Sequence, residues 1–327
     1  MYLEPPFSAS EATGADREQA LAEQLGHFVR AARNAFSRNT ERAVRSDLAI
    51  YAAWCALHGL RALPAEPETV AAFVDDKAEL RKPATVRRYV ASIAIAHRAL
   101  GRGRTMSSPA IRLALQRMHR MKGRRQGQAT GLTWPLRQRL LEAAGGRLID
   151  DRNRALLAVA YDTMLRRAEL VSLQVADLLE EMPGNASLLV RRSKTDGEGR
   201  GEIVYVARDT VRLVRTWLGR AGIAEGLLLR SVAKGGRVGD RLHPAHVARI
   251  LKAMARDAGL PDEVVEGLSG HSARVGAAQD MIAAGIELPA ILQAGRWRST
   301  AMVNRYGERL LARRSGAAQL ARLQQRD

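Results

Sequence analysis

The stretch GHSARVGAAQDMIAAGIELPAILQAGRWRSTAMVNRY, residues 270–306, decides how the rest of the chain is read. It places His271 and Arg274 three residues apart, then Trp297, then Tyr306. The pattern predicts a helix from Ser269 to Ala284, a short one near 288–294 and another over 299–313. Residues i and i+3 of a helix share a face, so His271 and Arg274 are expected side by side. Gly270, before them, lets backbone come close. An imidazole, a guanidinium and a phenol can bind or attack a phosphate, and an indole can wall the same site and donate to it.

A His-x-x-Arg pair alone is weak evidence, and two further stretches strengthen it. In TMLRRAELVSL (163–173), Arg166 and Glu169 are again i and i+3, anchored by Leu165, Leu170 and Leu173. In RRSKTDG (191–197), Lys194 falls where a strand meets a hairpin turn. Only six of the 52 basic residues are Lys. A Lys kept at that place points to a titratable ammonium, because Arg essentially cannot give up a proton.

The chain is 327 residues long, beyond the size at which one core keeps growing, so two domains are expected. Hydrophobic residues make up 46% and aromatics 4%, which favours helices packed on helices. A net charge of +18 points to nucleic acid as partner. Segment 80–141 holds 15 Lys or Arg and no Asp or Glu, and its arginines lie on helices whose other face is apolar. It therefore reads as a DNA-backbone footprint. Within it, MKGRRQGQATG (121–131) has linker composition and sets the domain boundary near residue 126. The single cysteine, Cys55, allows no intramolecular disulfide and no multi-Cys metal site, and is expected in a core. No signal-peptide pattern opens the chain and no apolar run approaches membrane length, so a cytoplasmic, nucleoid-associated protein is expected.

Residues 1–15 are expected to form a flexible tail. Helices are predicted over 16–35, 40–58, from Pro67, over 83–100 and from Ser108 to Met121, making a helical domain over 16–125. Val44, Leu48, Tyr51 and Cys55 form the apolar face of the second helix, with Arg42 and Arg45 on the other. Arg87, Arg88 and Arg98 likewise leave the inner face of the 83–100 helix. These five, with Lys122, Arg124 and Arg125, are the expected DNA-binding residues. In the second domain (126–327), helices are predicted at 133–144, 151–164, 166–174, 209–220, 244–258 and 315–325. Strands at 187–194 and 201–207 are joined by the Gly-containing turn TDGEGR. His243 and His246 are expected to be structural.

The set Arg166, Lys194, His271, Arg274, Trp297 and Tyr306 resembles the active site of the tyrosine recombinases, the phage-integrase family. The runs AAWC (52–55), PAEPE (64–68), YDTMLRRAELVSLQVADL (161–178), RRSKT (191–195) and SGHSARVGAAQDMIAAGIELPAILQAGRW (269–297) carry the resemblance. It spans about 40–327 and weakens in the hairpin after Lys194, over 231–268 and in the tail. It implies a mainly α chain of two domains: a helical core-binding bundle, and a mostly helical catalytic domain with a small antiparallel β-sheet. It also implies double-stranded DNA with a specific target site, a homotetramer on that DNA, two strand exchanges through a Holliday junction, and a tail helix at 315–325 that docks in a neighbouring protomer.

The chemistry follows from the residue types. Arg166 and Arg274 would bind the non-bridging oxygens of a phosphodiester and stabilise the charge of the transition state. Tyr306 would be the nucleophile, a phenol of pKa ~10 that needs a neighbouring base or cation field. His271 would orient the phosphate or shuttle that proton, and Lys194 would protonate the leaving 5′ oxygen. Trp297 would cover the site, and Glu169 would align the adjacent basic groups. A phosphotyrosine link conserves the bond energy, so no ATP is expected, and no GxxxxGK[ST] occurs. No carboxylate cluster suggests a two-metal site, and no cofactor is expected. A type IB topoisomerase and a DNA-binding regulator without catalysis are the alternatives.

Overall fold

The structure is a computed structural model and describes residues 36–125, 127–182, 185–192 and 200–326. The chain divides into two compact units, Met1–Gly127 and Gln128–Asp327. The expected tail at 1–15 and helix at 16–35 lie outside the described residues, as does Lys194.

In the first unit, helices α1 (Arg38–Leu57), α2 (Pro67–Leu80), α3 (Pro83–Ala99) and α4 (Pro109–Lys122) form a bundle. Three of the four carry Pro in the first turn, where the ring matches helical φ and the missing N–H is no loss. The Ser108 hydroxyl caps α4 by accepting from the Ala110 N–H. Tyr51, Cys55, Val70, Phe73 and Ile93 are all at most 1% exposed and form the core with Trp54 and Tyr89. Phe73 meets Tyr51 and Trp54 edge-on, at ring separations of 4.9 and 5.3 Å. Each such side chain contributes about 1.5–3 kcal/mol by leaving water.

The second unit is mostly helical around one three-stranded antiparallel sheet. Its helices are α5 (Trp134–Ala143), α6 (Leu148–Thr163), α7 (Arg167–Leu170), α8 (Arg208–Ala221), α9 (His246–Asp257), α10 (Asp262–Gly267), α11 (Ser272–Ala284), α12 (Leu288–Gly295), α13 (Ala301–Ala312) and α14 (Gly316–Leu323). Strands β1 (Leu178–Met182), β2 (Asn185–Val190) and β3 (Glu202–Val206) pair in the order β1-β2-β3. Leu188 of β2 faces Leu178 on one side and Val204 on the other. Ala186, Leu188 and Val190 alternate into the core with Leu156, Trp217, Leu228 and Leu251.

The structure differs from the sequence reading in several places, and the helix expected over 166–174 is only the single turn α7, Arg167–Leu170. LLEEM (178–182) is built of helix formers, yet it is strand β1, because pairing with β2 overrides propensity. The short helix α10 was not expected. At 227–230, for which no element was predicted, Leu227 makes an isolated bridge to Gln174. The helix expected from Ser269 begins at Ser272, with His271 as its N-cap. Among the described residues, no helix is long and apolar enough to cross a membrane.

Candidate active site

Helix α6 ends at Met164, whose left-handed backbone (φ 50°) turns the chain sharply into Arg166. Arg166 caps the one-turn helix α7. Its backbone N–H donates to Glu169 Oε2 at 3.0 Å and its Nη1 donates to Oε1 at 2.8 Å. Burial pushes the Glu169 carboxyl up, but the Arg166 N–H, the Arg166 guanidinium and the charge of Arg296 outweigh it and hold the group below the usual range.

Helix α11 supplies Arg274, which is 3% exposed. Its Nη1 donates to the Met164 carbonyl at 2.6 Å, and its Nη2 donates to the Gly295 carbonyl. The guanidinium lies 4.7 Å from the centre of the Trp297 ring, which covers it. Trp297 in turn meets Tyr306 of α13 edge-on, at a centroid distance of 5.8 Å. Only glycine fits at 295, because a Cβ there would sit 2.3 Å from the Trp297 ring. Burial, above all, pushes the Arg274 pKa down to about 10, and the charges of Arg166 and Arg296 push the same way. Tyr306 and Glu169 oppose that shift, so all four groups lie within electrostatic reach of Arg274. The guanidinium stays charged at neutral pH.

His271 is held below the ordinary imidazole value by desolvation of its ring, then by Arg274, Arg167 and Arg166. At Gly270 a Cβ would lie 3.1 Å from Cδ of the Arg167 side chain, and no backbone atom is among its nearest neighbours.

The structure thus brings Arg166, Glu169, Arg274, Trp297 and Tyr306 together, with His271 in their field. Sequence reasoning missed three participants. Arg296 donates Nη2 to Glu169 Oε2 at 2.6 Å. Gln279 of α11 and Gln128 donate to the backbone carbonyl of Tyr306 at 3.1 and 3.4 Å. A positively charged side chain directly after Gly295, at the end of a helix, was the only sequence signal of Arg296. The glutamines act on a backbone atom and left no signal.

Arg42, Arg45, Arg87, Arg98, Arg124 and Arg125 are exposed in the first unit. Arg88 and Lys122 also have structural tasks. Arg88 grips the fully buried Asp47 through two hydrogen bonds, of 3.0 and 2.8 Å. Lys122 Nζ donates to the Glu79 and Arg81 carbonyls at 2.8 and 3.5 Å, at the end of α2.

The model of the phage integrase family matches residues 137–311. The recombinase Cre of Escherichia phage P1 is 31% identical over 291 residues, covering 84% of this chain and 85% of Cre. The chain belongs to the phage integrase family. An integrase/recombinase XerD homologue of Selenomonas ruminantium is 30% identical over 281 residues, covering 83% of this chain and 81% of the homologue. A lambda integrase tetramer solved on a Holliday junction shares the fold, with a TM-score of 0.57 at 14% identity, over 88% of this chain and 76% of that one. As a member of the phage integrase family, the protein is a site-specific tyrosine recombinase, an enzyme that breaks and rejoins DNA.

Proposed function

We propose that Tyr306 is the nucleophile and that the groups around it stabilise the phosphate it attacks. The observation that carries this is the continuous contact from the Met164 carbonyl through Arg274 and Trp297 to Tyr306. It holds a buried cation against an indole that the phenol meets edge-on. Tyr306 Oη bonds to phosphorus and loses its proton, and the P–O5′ bond breaks. The products are a 3′-phosphotyrosine and a free 5′ hydroxyl.

Arg166 and Arg274 neutralise the added negative charge at the transition state. The depressed pKa of His271 favours a neutral imidazole, which can take up the phenolic proton. Lys194 supplies a proton to the departing 5′ oxygen. Trp297 excludes water from the Arg274 side of the site, and Glu169 aims Arg166. No metal and no ATP enter these steps.

The religation step is the same reaction run with a 5′ hydroxyl from the partner duplex, which exchanges strands through a Holliday junction. The working assembly is a homotetramer on two copies of a specific duplex site. The lambda integrase tetramer on such a junction supports this reading. Helix α14 has Leu320 and Leu323 exposed at 50% and 83%, which supports its docking in a neighbouring protomer. The exposed arginines of the first unit grip the phosphate backbone, and the enzyme works at the nucleoid in the cytoplasm.

The test uses duplexes that the protein selects from a randomised library, each nicked so that the released fragment diffuses away. Wild type accumulates a covalent complex, and Tyr306→Phe binds the same duplex without trapping it. An undiminished covalent complex in Tyr306→Phe would refute the assignment.

A further inference from the structure

Arg296 follows α12 in the left-handed region, at φ 50°, where glycine would sit without strain. Its side chain is 4% exposed. One of its nitrogens, Nη2, is 2.6 Å from Glu169 Oε2. Nε lies 3.6 Å from Glu202 at the start of β3, and neither Nε nor Nη1 has a hydrogen-bond partner among the described residues. A strained backbone and two buried, unmatched donors both cost stability. The turn that ends α12 is closed by backbone alone, the Arg296 N–H donating to the Gln293 carbonyl and the Trp297 N–H to the Leu292 carbonyl, both at 2.9 Å, so it does not call for this side chain.

We propose that Arg296 is a positioning residue, the strut that holds the Arg166–Glu169 half of the active site in register with the Trp297–Tyr306 half. This rests on the catalytic reading above. The strut has one end on each half. Its guanidinium is fixed to Glu169, 127 residues away in sequence. Its backbone carries the next residue, Trp297, which covers Arg274 and touches Tyr306. It also sets how Glu169 treats Arg166. The carboxylate takes Nη1 of Arg166 on one oxygen and shares the other between the Arg166 N–H and Arg296. Without Arg296, Arg166 would be the only guanidinium the carboxylate holds among these contacts, and its remaining donors would be drawn away from a phosphate. Burial keeps Arg296 off the DNA, so it acts through Glu169 and Trp297.

The test is a double-mutant cycle on single-turnover cleavage of the selected nicked duplex, comparing wild type, Arg296→Gly, Glu169→Gln and the double variant. Arg296→Gly is expected to slow cleavage about 10-fold or more at unchanged DNA affinity, and to add less than about 2-fold in the Glu169→Gln background. Arg296→Lys, which keeps a donor for Glu169, is expected to recover part of the rate. Wild-type cleavage by Arg296→Gly, or losses that multiply in the double variant, would overturn the proposal. Thermal melting shows whether Arg296→Gly is folded, and relief of the left-handed strain opposes any loss. The Trp297 indole N–H resonance gives a readout independent of cleavage. It is expected to shift in Arg296→Gly and to stay near its wild-type position in Arg296→Lys; an unmoved resonance in Arg296→Gly counts against the strut. Failure of wild type to form a covalent complex would instead count against the catalytic reading.

Discussion

Substituting Gly276 by Ala tests how the chain enters the catalytic unit. Gly276 lies in α11, two residues after Arg274, and the segment 130–132 runs directly across it. The Thr130 N–H donates to the Gly267 carbonyl at 2.9 Å, and the Leu132 N–H donates to the Ser272 carbonyl at 2.8 Å. A Cβ at 276 would sit 2.0 Å from the Leu132 carbonyl carbon and oxygen and 2.6 Å from its nitrogen. These are backbone atoms and cannot rotate away, so the segment must lift. Lifting it breaks two hydrogen bonds, worth about 1 kcal/mol each. It also exposes part of Leu132, which is fully buried and whose burial contributes about 1.5–3 kcal/mol. The better helix propensity of Ala returns about 1 kcal/mol. The net loss is about 3 kcal/mol, which lowers the melting temperature of a unit of this size by about 6–12 °C. Scanning calorimetry of the full chain measures it. Gly219→Ala in α8 is the control, since nothing lies within 4 Å of a Cβ there. It is expected to stabilise by about 0.5–1 kcal/mol. If Gly276→Ala melts within about 2 °C of wild type, the reasoning is wrong.

Other outcomes follow from the same contacts. Arg274→Lys loses the fork that reaches both the Met164 and Gly295 carbonyls, and single-turnover cleavage is expected to fall about 10²–10³-fold while duplex affinity, measured by anisotropy, holds. The His271 ring, assigned through His271→Gln, is expected to titrate below the free-imidazole value in NMR spectra. Because its folded pKa is depressed, protonation disfavours the fold, so stability rises with pH between the folded value and the ordinary one. Arg88→Ala strands the buried Asp47 with Ser92 as its remaining side-chain partner and is expected to destabilise the first unit by about 1–3 kcal/mol in urea melts. Its exposed neighbour Arg87→Ala is expected to leave stability alone, weaken DNA binding and reduce the salt slope by about 1.

Much of the candidate site's arrangement was legible in sequence because it is built from scarce residue types at telling spacings. Arg166 with Glu169 and His271 with Arg274 stood out by spacing, and Trp297 and Tyr306 by rarity in a chain with 4% aromatics. The helices of the first unit were legible from apolar periodicity and from prolines at their starts. What was not legible depends on partners distant in sequence. Asp47 carries no sequence signal of burial, and Arg88 and Ser92, 41 and 45 residues on, make it a core residue. Arg296 was not singled out in the sequence, because its partner Glu169 lies 127 residues away. Strand β1 has helix-forming residues, and its conformation is set by β2. His271 was read inside its helix, whereas the Ser269–Ser272 turn starts the helix one residue later; the Ser269 N–H donates to Ser272 Oγ at 2.8 Å.

The most direct test of the central claim is to find the atom that carries the DNA. The covalent complex trapped by wild type is digested with nuclease and trypsin, and the nucleotide-bearing peptide is sequenced by mass spectrometry. The account predicts a single adduct, a 3′-phosphoryl nucleotide on the hydroxyl of Tyr306. An adduct on any other residue, or one joined through a 5′ phosphate, would contradict it.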